Sequence, residues 1–282
     1  MLGAILGDMI GSPYEFNVDK KPTREEIDLY GENNRMTDDS YLTLAVAKVL
    51  LKHYPFHLDE AEKLAIQDDL RKEFKETVAK HPFAGFGASF YKWANLPLEE
   101  MKPYNSCANG SAMRISSIGW LASSLTELKE LSLLVTDITH NHPDAIKGAE
   151  AIASCIYFAR NGFTKEQIRD YVELNYYPSI RDFDYEDLVK NYAFDVFCEG
   201  SCPQAIYCFL ISDSLEDAIL KAICIGGDSD TIACMCGGIA EAFYNRDSVS
   251  PLERHYLDFY LEKEEEGIIK KMYQAIGSRK LN

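Results

Sequence analysis

The sequence has no uninterrupted apolar run of the ~20 residues that a membrane span requires. Its most apolar opening, MLGAILGDMIG, lacks a positively charged leader and is broken by Asp8. It therefore does not read as a signal peptide, and the chain is expected in the cytoplasm, without a membrane partner. Positive charge is scarce. Lys and Arg number 29 against 45 Asp and Glu, a formal net charge of -16. A surface of that sign repels phosphate backbones and excludes general nucleic-acid binding. The eight cysteines form no dense framework. Cys155, Cys208 and Cys224 sit inside apolar runs, which reads as small buried hydrophobes rather than a disulfide scaffold. Strand-like alternation is also scarce. No fixed-period repeat, low-complexity tract or Pro/Ser-rich linker divides the chain.

What is present is helical. With 282 residues and 46% hydrophobic content, the chain can bury a sizeable core. Helical spacing or composition marks residues 2–10, 41–52, 58–80, 144–161, 215–225 and 231–244. Within 2–10 and just beyond it, Gly3, Gly7 and Gly11 recur every four residues. On a helix they form one small-residue stripe that lets another helix approach closely. The expectation is one all-α domain over 1–282, a large orthogonal multi-helix bundle. The stretches 11–37, 81–114, 138–143 and 194–204 read as irregular, with 198–204 as a cleft-lining loop.

Two acidic clusters stand at helix starts: Thr37-Asp38-Asp39-Ser40 and Asp228-Ser229-Asp230-Thr231. Each offers two carboxylates and hydroxyls. Such an oxygen-only donor set suits a hard cation, Mg²⁺ or Mn²⁺. One Asp or Thr before a helix is equally an N-cap. Capping explains one acid per cluster and leaves the second, whose charge repels the first unless a cation neutralises it. Gly226 and Gly227 permit close backbone approach ahead of Asp228. On residue chemistry alone, cap and ligand both stand. Other features have plainer readings. Asp8, inside an apolar helix, reads as structural or as a partner behind the site. Arg114 fits a phosphate contact or a structural ion pair. Cys234 and Cys236, two apart on a helix, point away from each other and read as core.

Five segments, GDMIGSPYEF, MTDDS, NGSAMR, THNHPDAIKGA and GGDSDT, occur in the order and approximate spacing of the ADP-ribosylglycohydrolase family, which the chain resembles over most of its length. The resemblance implies an all-α fold with two Mg²⁺ ions in a cleft. It also implies cleavage of the glycosidic bond between ADP-ribose and a protein side chain or small molecule. By it, Thr37, Asp38, Asp39, Asp228, Asp230 and Thr231 hold the metals. Glu15 is the acid beside the scissile ribose, and Asp39 and Asp228 join it as catalytic. Ser106, Cys107, Asn109, Gly110, Ser111 and His140 contact the substrate, the loop wrapping its diphosphate. Asn105 and Ala108 stand where that loop often has glycine. Asn tolerates positive φ and Ala does not. Two other readings share the acids: a Mg-dependent phosphohydrolase of a nucleotide diphosphate, and a non-catalytic binder or structural protein of the same fold.

Overall fold

A computed structural model describes residues 1–16, 20–244 and 249–277. Among the described residues there are fifteen α-helices and four short 3-10 helices. The only strand-like pairing among them is one isolated antiparallel bridge, Ala108 with Phe197. Among the described residues no helix is long and apolar enough to cross a membrane. Every expected helix is present, with ends moved by a few residues.

The centre of the fold is the helix Ser229–Tyr244, buried from Ser229 to Ala242 on all sides. A helix apolar all round belongs in a core. Around it pack Leu2–Gly11, Leu215–Cys224, Cys198–Leu210 and Pro143–Arg160. Cys155, Cys208, Cys234 and Cys236 are all buried there as thiols.

The first helix, Leu2–Gly11, meets the central helix along its glycine stripe. A Cβ on Gly7 would lie 2.0 Å from the Ala233 carbonyl oxygen, and one on Gly3 2.3 Å from that of Gly237. A Cβ on Gly11 would lie 2.6 Å from the Asp230 Cα. The two backbones are therefore in contact, and the seam ends at the second acidic cluster.

Both clusters begin helices, and both helices start earlier than their apolar periodicity indicates. One runs Asp38–His53, with Thr37 as N-cap accepting from the Asp39 amide. The central helix starts at Ser229, so Asp230 and Thr231 occupy its first turn. Ahead of it, Gly226 and Gly227 take φ of 75° and 79°. L side chains rarely adopt that conformation, so the turn aiming Asp228 needs glycine.

The segment 198–204 departs from expectation. It is helical, the start of Cys198–Leu210. Cys198, Cys202, Ala205, Ile206 and Phe209 share one helical face and are all fully buried. That burial outweighs the turn-forming character of Gly200 and Pro203.

Candidate active site

The glycine seam and the two helix starts bring distant acids together. Asp8, fully buried near the end of the first helix, accepts from the Thr37 amide at 2.9 Å and the Thr37 hydroxyl at 2.6 Å. It also accepts from the Ser40 amide at 3.1 Å and from the Ser40 hydroxyl. Asp8 thereby ties the first cluster to the first helix. The Thr231 hydroxyl donates to Asp39 Oδ2 at 3.2 Å, linking the clusters directly. Asn109 Nδ2 donates to Asp228 Oδ2 at 2.6 Å.

Carboxylate oxygens of Asp8, Asp39 and Asp230 lie within 4.8 Å of one another, as do those of Glu15, Asp228 and Asp230. Asp230 belongs to both groups. Burial raises the pKa of every one of these acids, and their mutual charge adds to it for most. Asp8 moves up to about 6, from burial against four opposing hydrogen bonds. Glu15 moves up to about 7, from burial and then the Asp228 charge. Asp38, Asp39 and Asp230 move well up and Asp228 also rises, burial leading in each. Among the described residues, Asp39 Oδ1 is a buried carboxylate oxygen without a hydrogen-bond partner. Crowded, unbalanced carboxylates with one unmet oxygen fit a hard divalent cation.

Asp38, Asp39, Asp228, Asp230 and Glu15 floor a cavity of about 540 Å³, with Asp8 buried behind them. Of the expected metal ligands, Asp38, Asp39, Asp228, Asp230 and Thr231 line it, while Thr37 sits behind the wall as cap and as donor to Asp8. Glu15 lines it too, half-exposed at the end of a 3-10 turn.

Above the floor the cavity is walled by Ser106, Asn109, Gly110 and His140, with Asn109 joined to the floor through Asp228. Asn105 has φ of 54°, as an Asn in place of Gly allows, and its amide donates to Asn141 Oδ1 at 2.7 Å. Ala108 needs no positive φ. It forms the bridge to Phe197, and the Asn109 amide donates to the Val196 carbonyl at 2.9 Å. The loop is thus held by a second segment, 194–197, rather than by glycine.

Two of the expected substrate contacts fall away from the cavity. Ser111 is fully buried in the turn Gly110–Met113, its hydroxyl near the Ala145 carbonyl at 3.3 Å. Cys107 is off the cavity wall, its carbonyl accepting from the Cys198 amide at 3.0 Å. A short helix starting at Gly110 points Ser111 inward, which a reading of 81–114 as irregular could not show. The histidines also separate. His142 caps Pro143–Arg160, accepting from the Asp144 amide at 3.2 Å. His140 is buried on the cavity wall.

Arg114 has no ion pair among the described residues. Fully buried, it donates to Thr139 Oγ1 at 2.8 Å and to the Val135 carbonyl at 3.1 Å. Its guanidinium stands 4.7 Å from the Phe74 ring centre. Asp8, read from the sequence as structural or as a partner behind the site, stands behind the floor and holds Thr37 and Ser40. Its signal was an ionisable residue inside an otherwise apolar helix. The aromatic wall, Phe16, Phe90, Tyr104, Phe194 and Phe197, had no distinguishing signal among 14 Phe and 17 Tyr.

The chain is an all-helical protein whose cleft is lined by buried carboxylates that could hold a metal. Comparison with known proteins specifies the family. The profile of the ADP-ribosylglycohydrolase family matches residues 1–279. Human ADP-ribosylhydrolase ARH3 is 26% identical over 318 residues, covering 88% of this chain and 85% of its own. The ADP-ribosyl-[dinitrogen reductase] glycohydrolase of Rhodospirillum rubrum is 23% identical, covering 93% of this chain and 90% of its own. A solved structure titled ADP-ribosylglycohydrolase-related protein complex superposes with a TM-score of 0.66 at 19% identity. The match covers 98% of this chain and 97% of that one, a likeness of fold. The chain belongs to the ADP-ribosylglycohydrolase family, and its enzyme class is ADP-ribosyl glycohydrolase.

Proposed function

We propose that the chain, as one domain over 1–282, hydrolyses the glycosidic bond joining ADP-ribose to an arginine or serine side chain or to a small molecule, and releases ADP-ribose. The observation that supports this best is the pair of carboxylate groups sharing Asp230 beneath a cavity large enough for a nucleotide.

Asp8, Asp39 and Asp230 would hold one divalent cation, and Asp228 and Asp230 a second, with Glu15 beside it. Asp38 and Thr231 supply further oxygens. Mg²⁺ is the first choice and Mn²⁺ the second. Such ions, when bound, polarise the reacting centre and lower the pKa of a water. The protein's own groups do the rest. Asn109 fixes the rotamer of Asp228 through its 2.6 Å bond, and Thr231 fixes Asp39. Glu15, raised to about 7 by burial and the Asp228 charge in the metal-free protein, stands beside the second group, where it can take a proton from a water or return one as a general acid/base. The Ser106–Gly110 backbone and His140 face the diphosphate. The rings of Phe16 and Phe194, stacked with centres 6.1 Å apart, offer an apolar face for a base.

This arrangement explains how a chain of net charge -16 accepts an anionic substrate. The attraction is local, from cations held on the floor and from His140 and backbone amides on the wall.

The test is a product assay. ADP-ribosyl-arginine, ADP-ribosyl-serine and a small-molecule ADP-ribosyl conjugate are each incubated with the protein plus Mg²⁺ or EDTA. Metal-dependent release of intact ADP-ribose from at least one is expected. AMP plus ribose phosphate would point instead to a phosphohydrolase, and no turnover to a binder.

A further inference from the structure

We propose that Arg114 and Thr139 act as positioning residues that lock His140 in one tautomer, with its proton on Nε2 and directed into the cavity. The proposal deepens the functional reading above and rests on it for the identity of the ligand.

The assignment follows from counting protons and lone pairs. Thr139 Oγ1 lies 2.8 Å from Arg114 Nη2, 2.7 Å from His140 Nδ1 and 3.5 Å from the Thr136 carbonyl oxygen. Arg114 can only donate, so the hydroxyl oxygen accepts there. Its single proton has two possible destinations. The Thr136 carbonyl is at the limit of hydrogen-bond distance. It already accepts from the His140 amide at 2.8 Å and the Thr139 amide at 3.2 Å, which occupy both lone pairs. The proton therefore goes to His140 Nδ1. A ring nitrogen that accepts carries no proton, so the neutral imidazole holds its proton on Nε2.

That Nε2–H is left for a ligand. Among the described residues no acceptor is bonded to it, and a Cβ on Gly110 would lie 3.4 Å away. Gly110 thereby leaves the donor open toward the cavity that His140 lines.

Arg114 serves the arrangement twice. As a charged donor it polarises the Thr139 hydroxyl and strengthens its bond to Nδ1. As a buried cation with no carboxylate partner, it opposes a second charge on His140. The groups facing His140 are Arg114, the Thr139 hydroxyl and the phenol of Tyr104, whose ring centre is 5.8 Å away. Burial and the Arg114 charge both hold the imidazole well below its usual range, and burial holds the Tyr104 phenol up at about 12. All three are thus constant in charge near neutrality. Arg114 itself is gripped by Phe74 and Phe90, 4.7 and 5.8 Å from its guanidinium carbon, and by the Val135 carbonyl.

The result is a neutral, oriented donor for a substrate oxygen. A histidine free to take either tautomer would present a lone pair there part of the time, repelling an anionic oxygen.

The experiment is ¹⁵N NMR of the imidazoles in the full-length protein, with His140 assigned through H140Q, and titration with ADP-ribose. Wild type is expected to show Nδ1 unprotonated and Nε2 protonated at pH 7 without ligand. Thr139→Val removes the donor to Nδ1. It should shift His140 toward the other tautomer and weaken ADP-ribose binding roughly tenfold, the loss of one hydrogen bond to a charged group. Thr139→Ser should restore both. A proton on Nδ1 in wild type, an imidazolium at pH 7, or unaltered ADP-ribose binding in T139V would overturn the proposal. The wild-type spectrum needs no variant, so it decides even if T139V misfolds. If wild type binds no ADP-ribose, the functional reading fails while the tautomer result still stands or falls alone.

Discussion

The two sides of the cleft are opposite in charge and in what burial does to them. On the floor and just behind it, Asp8, Asp38, Asp39, Asp228, Asp230 and Glu15 are crowded, and all are pushed toward their protonated forms. On the wall, Arg114 and His140 are buried with no carboxylate partner among the described residues, and both are pushed toward deprotonation, Arg114 to about 10. These groups could have neutralised one another and did not. Each side keeps an unmet demand, the floor for a cation and the wall for an anionic oxygen. A protein that used these charges for stability would have paired them. Their separation has a use only when a ligand bridges the cleft.

The difference predicts opposite responses to change. The largest effect belongs to the floor. Asp230→Asn removes the acid common to both carboxylate groups and should lower kcat/KM by ~10²–10³-fold or more. The same variant should raise the melting temperature of the metal-free protein, because it takes one charge from a buried cluster of like charge. A variant both fully active and no more stable would contradict the floor assignment.

Gly7→Ala comes next. Its Cβ meets backbone at 2.0 Å, which no rotamer can relieve. Unfolding should show a loss of ~1–3 kcal/mol or more. Any folded fraction should lose metal affinity, since the seam it opens runs from Asp8 to Asp230. Unchanged stability would mean that the close approach is absent in solution.

Divalent metal should then separate the two sides by pH. The ordinary values of 3.8 for Asp8 and 4.5 for Glu15 rise to about 6 and about 7 on folding. Acids raised in the folded state favour folding when protonated. Their contribution is full below the ordinary values and is lost as pH climbs through about 6 and about 7. His140 has the reverse sign: its depressed value lowers stability as pH falls below 6.5. Calorimetry should therefore show Mg²⁺ or Mn²⁺ stabilising the protein by ~2.7 kcal/mol at a hundredfold excess over Kd above pH 7.5. At pH 5.5, where metal must displace protons from the floor, the gain should be smaller. Equal gains at both pH values would refute titration of the floor.

The smallest effect expected is that of Ser111→Ala. Its hydroxyl faces the Ala145 carbonyl and not the cleft, so KM should stay within about twofold, with a stability loss of ~1 kcal/mol. A tenfold rise in KM would return Ser111 to the substrate side.

Much of this was legible in the chain itself. Apolar periodicity placed the helices, and the paired acids, each with one carboxylate more than a cap needs, marked both halves of the floor. The Gly3-Gly7-Gly11 stripe announced a close helix contact without naming the partner. Other features were hidden because they depend on direction. Ser111 and His140 are both polar residues in stretches read as loops, yet one turns inward and one lines the cavity. Residues 198–204 carry turn-forming Gly and Pro, and only the core behind them makes them helical. Arg114 read as a phosphate contact or half of an ion pair, and the rings it packs against, Phe74 and Phe90, come from other elements.

The sequence by itself determined the composition of the site: which acids, on which helix starts, behind which glycines. Those are local properties, set by backbone preference and side-chain chemistry over a few residues. Only the tertiary structure decided that Asp8 joins Asp39 and Asp230, that Arg114 reaches His140 through Thr139, and that the two sides stay unpaired. The reason is physical. Burial, carboxylate crowding and hydrogen-bond counting are properties of groups far apart in the chain, and packing along the glycine seam brings the acids of the floor together.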